Sequence, residues 1–434
     1  MIRFVSAFCF ILIVGEVFQV QCEPSKFVKE DKHLYDVVNE QASQKYFATK
    51  RKINNNDFKV SGAEAKKVWM YIRHGTRSLK RFEIPILTGL ESVAKQVVES
   101  FKNEKSVPFS KNAWDKLKTW KLDVSVDRSQ SHGKVDMITS SGKTELESVA
   151  KNYQGRFPSL FTNKYSPDQF HLLHSTEERC KESMEVFFGK IFGKNAAEGI
   201  NGTVEGTEYE GIVEAYRVYV DSVQPGQRPA NVELPKFQQL PAYKTMVERI
   251  VKEFRLKVTD YNTKQKLVSN IFDMCRYEEA WYSNHSAWCS FFKADDIKML
   301  QYGVDLYNFY EWGYGIDQNN KIQCPTIRDM VKSFEGGAAP VTAYFTHIPE
   351  VSLHLVAMHA YPEKQKLTAD NYGAMSKRVW QSSKLVPFAA NFAAVLYGNN
   401  QVKFFMNEEL VQLSWCKKGV CNLSDLKKNF SQCF

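Results

Sequence analysis

The sequence predicts an α/β fold with a largely parallel sheet and an inserted, mostly helical cap. Three observations carry that expectation. From Val68 onward short apolar runs alternate with stretches of helical periodicity, the rhythm of strands joined by crossover helices. Three of the apolar runs lead into arginine or histidine, at Arg73-His74, Arg179 and His347. Between about Pro229 and Thr326 the texture changes to aromatic-rich helical segments, which read as an insertion.

Taken in order, residues 23 to about 60 are polar, and Asn54-Asn55-Asn56 marks a loop before the first strand. Val68 to Ile72 reads as a buried strand, placing Arg73-His74-Gly75-Thr76-Arg77 at its carboxyl end. Open α/β sheets bind their ligands at that edge. Leu90 to Phe101 has helical spacing, as does Glu145 to Tyr153 after a turn at Ser140-Ser141-Gly142. Phe170 to His174 is a second strand, running into Ser175-Thr176-Glu177-Glu178, which has the form of a capping box. The helix it opens carries Met184, Phe187, Phe188 and Ile191 on one side. Ile212 to Val223 alternates like a strand. Gly336-Gly337 leads into a further strand, Val341 to Thr346, ending at His347; Pro349 suits the first turn of the helix that follows. The expected division is a core of 60–227 and 336–415, a helical cap of 228–335, and a tail of 416–434.

Composition narrows the class. With 434 residues, 43% hydrophobic and 25% charged, the chain can bury a large core. Met1-Ile2-Arg3, an apolar run to about Phe18 and Val20-Gln21-Cys22 read as a secretory leader over residues 1–22. No later segment has the apolar length of a membrane span. Ser431-Gln432-Cys433-Phe434 is neither a retention signal nor an anchor tail, so secretion is the expected destination. Asn201, Asn284, Asn422 and Asn429 are glycosylation acceptors by motif. Cys275/Cys289 and Cys416/Cys421 are the natural local disulfides, with Cys180, Cys324 and Cys433 left over. Metal-site spacing is absent, and no metal or cofactor is expected. A net charge of +9 suggests an acidic partner. Nucleic acid is not the expected one. Lys111 to Lys121 interleaves lysines with Trp114 and Trp120, but Asp115 and Asp123 break the pattern, as on a solvated helix face. The sequence sets no oligomeric state.

The chemistry lies in the strand ends. Arginine presents a planar fork of donors that fits phosphate oxygens in pairs, and a neutral imidazole beside such forks can attack the phosphorus they hold. Gly75 lets the backbone approach the bound group. Arg179 falls in the first turn of a helix, where a cation is disfavoured unless an anion is near. His347 ends the third strand, whereas His33, His132, His285, His354 and His359 read as ordinary polar residues.

Arg-His-Gly-x-Arg, a later arginine opening a helix, and a final strand-histidine-helix resemble the signature of the histidine acid phosphatase family. Phe272-Asp273-Met274-Cys275-Arg276-Tyr277-Glu278, Trp288-Cys289-Ser290-Phe291-Phe292, Tyr310-Glu311-Trp312-Gly313-Tyr314-Gly315 and Leu367-Thr368-Ala369-Asp370-Asn371-Tyr372 look like its multiple inositol polyphosphate phosphatase branch. The resemblance runs from about Val68 past Tyr397. It implies a phosphoglycerate-mutase-like sandwich and a phosphomonoesterase acting on inositol polyphosphates. His74 would be the nucleophile, Arg73, Arg77 and Arg179 the clamp, and His347 a further donor to the phosphoryl group. Lys80, Arg81 and Lys143 would hold other phosphates of the substrate. One departure stands out: where the branch continues its second histidine as His-Ala-Glu, this chain reads His347-Ile348-Pro349-Glu350. Glu350 is the replacement candidate for the proton donor, and the helix dipole is expected to keep it ionised. The alternative function is an impaired relative that binds phosphorylated ligands or partners.

Overall fold

The computed structural model describes residues 5–14, 17–42, 44–45, 51–123, 136–223, 231–282, 285–336 and 339–434. The chain divides into two compact units. One comprises residues 44–78, 125–238 and 302–434, and the other residues 1–43, 79–124 and 239–301.

The first unit is built on a seven-stranded sheet. In chain order its strands are β1 (Ala65–Arg73), β2 (Phe170–His174), β3 (Val341–Thr346), β4 (Asn391–Tyr397), β5 (Gln401–Met406), β6 (Glu409–Leu410) and β7 (Val420–Asn422). The spatial order is β2-β3-β1-β4-β5-β6, with β7 also on β5. The expected parallel core is β2, β3 and β1, in register Val68 with Val341 and Phe170 with Val341. Antiparallel β4 and β5 extend it beyond β1. Every residue of β1 from Val68 to Arg73 is buried, as a central strand covered on both faces requires.

Helices cover the sheet. Helix α1 is Ser140–Arg156 and α2 is Glu178–Phe192, which buries Cys180, Met184, Phe187, Phe188 and Ile191 at three- and four-residue spacing. The short α3 (Glu210–Val213) and α4 (Ala215–Ser222) follow, and then α5 (Cys324–Glu335) and α6 (Ile348–Ala357). Pro349 lies in the first turn of α6, as expected.

Four expectations need correction. Ile212 to Val223 is not a strand. Its alternation of residue types is not an alternation of burial, because Val213, Glu214 and Ala215 are buried in succession. Helix α1 starts at Ser140 rather than near Glu145, because the Thr139 side chain caps it by accepting from Gly142 N–H. The capping box at Ser175 to Glu178 does not form. The Thr176 N–H and hydroxyl instead donate to Glu214 Oε1, at 2.6 and 2.8 Å. The cap limits of 228 and 335 are not the limits of either unit, since residues 302–335 pack with the sheet and 79–124 with 239–301.

The second unit is mostly helical, with Leu90–Phe101, Lys111–Lys118, Pro241–Glu253 and Tyr261–Trp281 as its longer elements. Phe109, Trp114, Phe254 and Phe291 form one aromatic cluster in it. Trp114 thus faces the interior, while Lys111 and Lys118 both pair with Asp115 on the surface. Val5–Val14 and Val17–Val28, which include most of the segment read as a leader, pair antiparallel.

The disulfides Cys275–Cys289 and Cys416–Cys421 form as the spacing suggests. A third joins Cys324 to Cys433, 109 residues apart, a separation that carries no local signal. Among the described residues no helix is long and apolar enough to cross a membrane. Asn201 and Asn422 are exposed, Asn429 is half-buried, and Asn284 lies outside the described residues.

Candidate active site

The carboxyl end of β1 delivers the loop Arg73 to Arg77, and backbone bonds fix it to its neighbours. His74 N–H donates to Thr346 O at 3.0 Å, and His74 O accepts from Ala389 N–H at 2.9 Å. Gly75 and Gly142 make the loop's contact with α1 possible. A Cβ on Gly142 would stand 2.4 Å from Thr76 O, and one on Gly75 would stand 2.8 Å from Gly142 O. Glu145, fully buried on α1, accepts from Thr76 N–H and Oγ1 at 3.3 and 2.9 Å. The loop is therefore clamped between β3, α1 and the Ala389 turn.

Arg73, His74, Arg77, Arg179 and His347 meet in this unit. The His74 and His347 ring centroids are 5.5 Å apart. Arg179 Nη2 lies 3.3 Å from His347 Nδ1. Arg73 donates to Val386 O at 2.5 Å, and its guanidinium stacks 4.3 Å from the Phe388 ring centroid. His74, Arg73, Arg77 and Arg179 are all less than a tenth exposed. Burial, with Arg179, Arg73 and His347 adding to it, holds His74 well below the ordinary imidazole pKa, so it is neutral.

The tautomer of His74 follows from the hydrogen bond of its ring. Nδ1 lies 2.9 Å from Gly75 O, and a carbonyl oxygen can only accept. Nδ1 therefore carries the proton, and Nε2 keeps its lone pair. Arg179 retains a buried Nε with no hydrogen-bond partner among the described residues.

Several site residues have no sequence signal. Asp136 sits between two arginines: Arg179 Nη1 donates to its Oδ2 at 2.5 Å, and Arg77 Nε lies 3.5 Å from its Oδ1. Ser175 Oγ lies 2.9 Å from His347 Nε2. Ser183 Oγ accepts from Gly75 N–H at 3.1 Å. Cys180, a buried free thiol, is 3.6 Å from His347 Nδ1.

Glu350 differs from expectation. It is buried in the first turn of α6, and burial pushes its pKa up to about 8, so it is protonated at neutral pH. Desolvation outweighs the helix dipole that was expected to keep it ionised. Its carboxyl accepts from Tyr216 N–H at 3.1 Å and from the Gln323 amide, not from the arginine cluster. Lys143, in the first turn of α1, pairs with Glu182 at 2.9 Å. Lys80 and Arg81 belong to the helical unit, where Lys80 N–H donates to Glu83 Oε2 and Arg81 is exposed.

The sheet's strand ends thus gather a neutral histidine and three buried arginines, whose guanidinium forks suit paired oxyanion oxygens. The model of the histidine phosphatase superfamily, branch 2, matches residues 64–408, and the chain belongs to that family. It is a hydrolase of the histidine phosphatase type. A multiple inositol polyphosphate phosphatase of Drosophila melanogaster is 28% identical over 389 residues, covering 87% of this chain and 81% of that protein. The one of Gallus gallus is 24% identical over 320 residues, 68% of this chain and 69% of its own. Among solved structures, the phytase from D. castellii superimposes with a TM-score of 0.69 at 14% identity, covering 92% of this chain and 85% of its own. The Bifidobacterium longum multiple inositol polyphosphate phosphatase, in complex with inositol hexasulfate, gives 0.64 at 16%, with 90% and 96% covered.

Proposed function

We propose that the chain is an exported phosphomonoesterase that hydrolyses inositol polyphosphates through a phosphohistidine. The observation that carries this reading is the state of His74: neutral, with Nδ1–H given to Gly75 O, Nε2 left with its lone pair, and the positive charges of Arg179 and Arg73 acting on the ring. A nucleophile needs that lone pair, and in phosphoryl transfer the catalytic help comes from positioning and from cations around the transferred group. The arginines supply both. Arg179 has a buried N–H still to satisfy, as a waiting anion receptor would.

In the proposed sequence, Nε2 of His74 forms a bond to phosphorus as the ester P–O bond breaks, and the leaving oxygen takes its proton from solvent water to depart as the alcohol. Water then breaks the N–P bond, releasing phosphate and restoring the imidazole. His347 donates to the phosphoryl oxygens, and Lys143 is assigned to a neighbouring phosphate of the substrate. Inositol polyphosphates are favoured over other esters because the four similar proteins described above are named for them or are phytases. The leader read over residues 1–22, the three disulfides among the described residues and the acceptor motifs at Asn201, Asn284, Asn422 and Asn429 support export. The test is phosphate release from inositol hexakisphosphate between acid and neutral pH. Release by the wild type is expected, and no release at any pH would overturn the proposal.

A further inference from the structure

Asp136 has no part in the sequence of steps above, yet it bridges two arginines of the cluster, Arg77 and Arg179. Its backbone is left-handed, with φ of 65°, and this turns the side chain in between Arg77 and Arg179. Both arginines are more than nine-tenths buried, and the carboxylate is 22% exposed. This is not a casual surface pairing. A carboxylate offers guanidinium forks the same pair of oxygens that a phosphoryl group offers, so the two compete for the same donors.

We infer that Asp136 is an internal counter-anion that weakens the hold of the site on inorganic phosphate and so drives product release. The inference rests on the phosphatase reading, and it concerns a positioning residue rather than one that reacts. A tethered carboxylate acts at an effective concentration far above that of free product. An incoming polyphosphate can offset its displacement through phosphates bound elsewhere. Orthophosphate, the product, has only the cluster itself. As the phosphate leaves, the carboxylate returns to Arg77 and Arg179.

Two variants test this, because both suit a positive φ. Asp136→Asn keeps the shape and removes the charge, and Asp136→Gly removes the side chain. The dissociation constant of inorganic phosphate is measured by calorimetry on the full chain, alongside its inhibition constant against hydrolysis of inositol hexakisphosphate. Both variants should bind phosphate roughly tenfold more tightly, the scale of one charge-assisted hydrogen bond. Mere damage to the site would weaken binding instead. If the wild type binds phosphate and releases it from the hexakisphosphate while the variants bind equally or less tightly, this inference fails and the phosphatase reading stands. If the wild type releases no phosphate from the hexakisphosphate, the phosphatase reading fails and this inference with it.

Discussion

Nη2 of Arg179 faces Nδ1 of His347 at 3.3 Å, and that contact fixes how the second histidine is protonated. A guanidinium has no lone pair to offer, so Nδ1 must be the acceptor. The proton then lies on Nε2, which points at Ser175 Oγ, 2.9 Å away. For His347 to donate to a phosphoryl group through Nδ1, the proton must change nitrogen. A hydroxyl is suited to this exchange, since it can accept from Nε2–H in one tautomer and donate to Nε2 in the other.

Ser175→Ala should therefore lower kcat about tenfold with a smaller change in KM, and Ser175→Thr should restore most of the loss. Steady-state kinetics on inositol hexakisphosphate would show this. A Ser175→Ala enzyme with unchanged kcat would remove the serine from the mechanism.

His74→Ala removes the nucleophile but leaves Arg73, Arg77 and Arg179 in place. Turnover should fall by several orders of magnitude, while binding of inositol hexakisphosphate persists. Activity within about tenfold of wild type would refute the phosphohistidine route.

Glu350 should leave a signature in stability. Burial raises its pKa from 4.5 to about 8. Between those values the folded protein holds a proton that the unfolded chain has released, so stability falls as pH rises through that window. The effect is on the order of a few kcal/mol at most. Below the lower value both states are protonated and the term vanishes. His74, lowered instead, adds the opposite slope only below the ordinary imidazole pKa of 6.5. From pH 6.5 to 8, where His74 no longer opposes it, the stability of Glu350→Gln in denaturant melts should fall less than that of the wild type. An unaltered slope would show that Glu350 titrates normally.

The same substitution separates structure from catalysis. A general acid contributes roughly a hundred- to ten-thousand-fold on poor leaving groups and little on good ones. Because Glu350 is bound to Tyr216 and Gln323 rather than to the arginine cluster, Glu350→Gln should slow alkyl and aryl phosphates to a similar, modest degree. Selective loss on alkyl phosphates would make Glu350 the proton donor.

A last prediction concerns charge. A buried arginine cluster in a basic chain should bind inositol hexakisphosphate more tightly than an inositol monophosphate, and the margin should narrow as salt rises. Calorimetry at two ionic strengths would decide. Equal affinity at low salt would favour a simple monophosphate substrate.

The strands β1 to β3 and the five residues they gather were legible because each is announced locally. A fully apolar run ends, and an unusual cation or imidazole follows. Asp136 was not legible and Ser175 was read only as a helix cap, because their partners lie 43 and 172 residues away. Ile212 to Val223 misled because alternating residue types imitate a strand, whereas the Ile212 and Val213 carbonyls are held by Tyr71 and Thr346 hydroxyls in a turn-rich helical segment. The ionisation of Glu350 was misjudged because a helix start is visible in sequence and the burial that overrides it is not.

The bond between Cys324 and Cys433, 109 residues apart, closes a covalent ring that contains the parallel strand β3, His347 and the antiparallel strands β4 to β7. In a loop of that size, closure removes about 4 to 5 kcal/mol of freedom from the unfolded chain on the chain-entropy estimate. Forming that ring presents a hazard of mispairing. Cys180 is a thiol lying against His347, so a chain oxidised before β3 docks on α2 can join the wrong sulfur and lock the second histidine out of place. The order in which oxidation and sheet assembly occur thus decides whether a given molecule matures with a usable site.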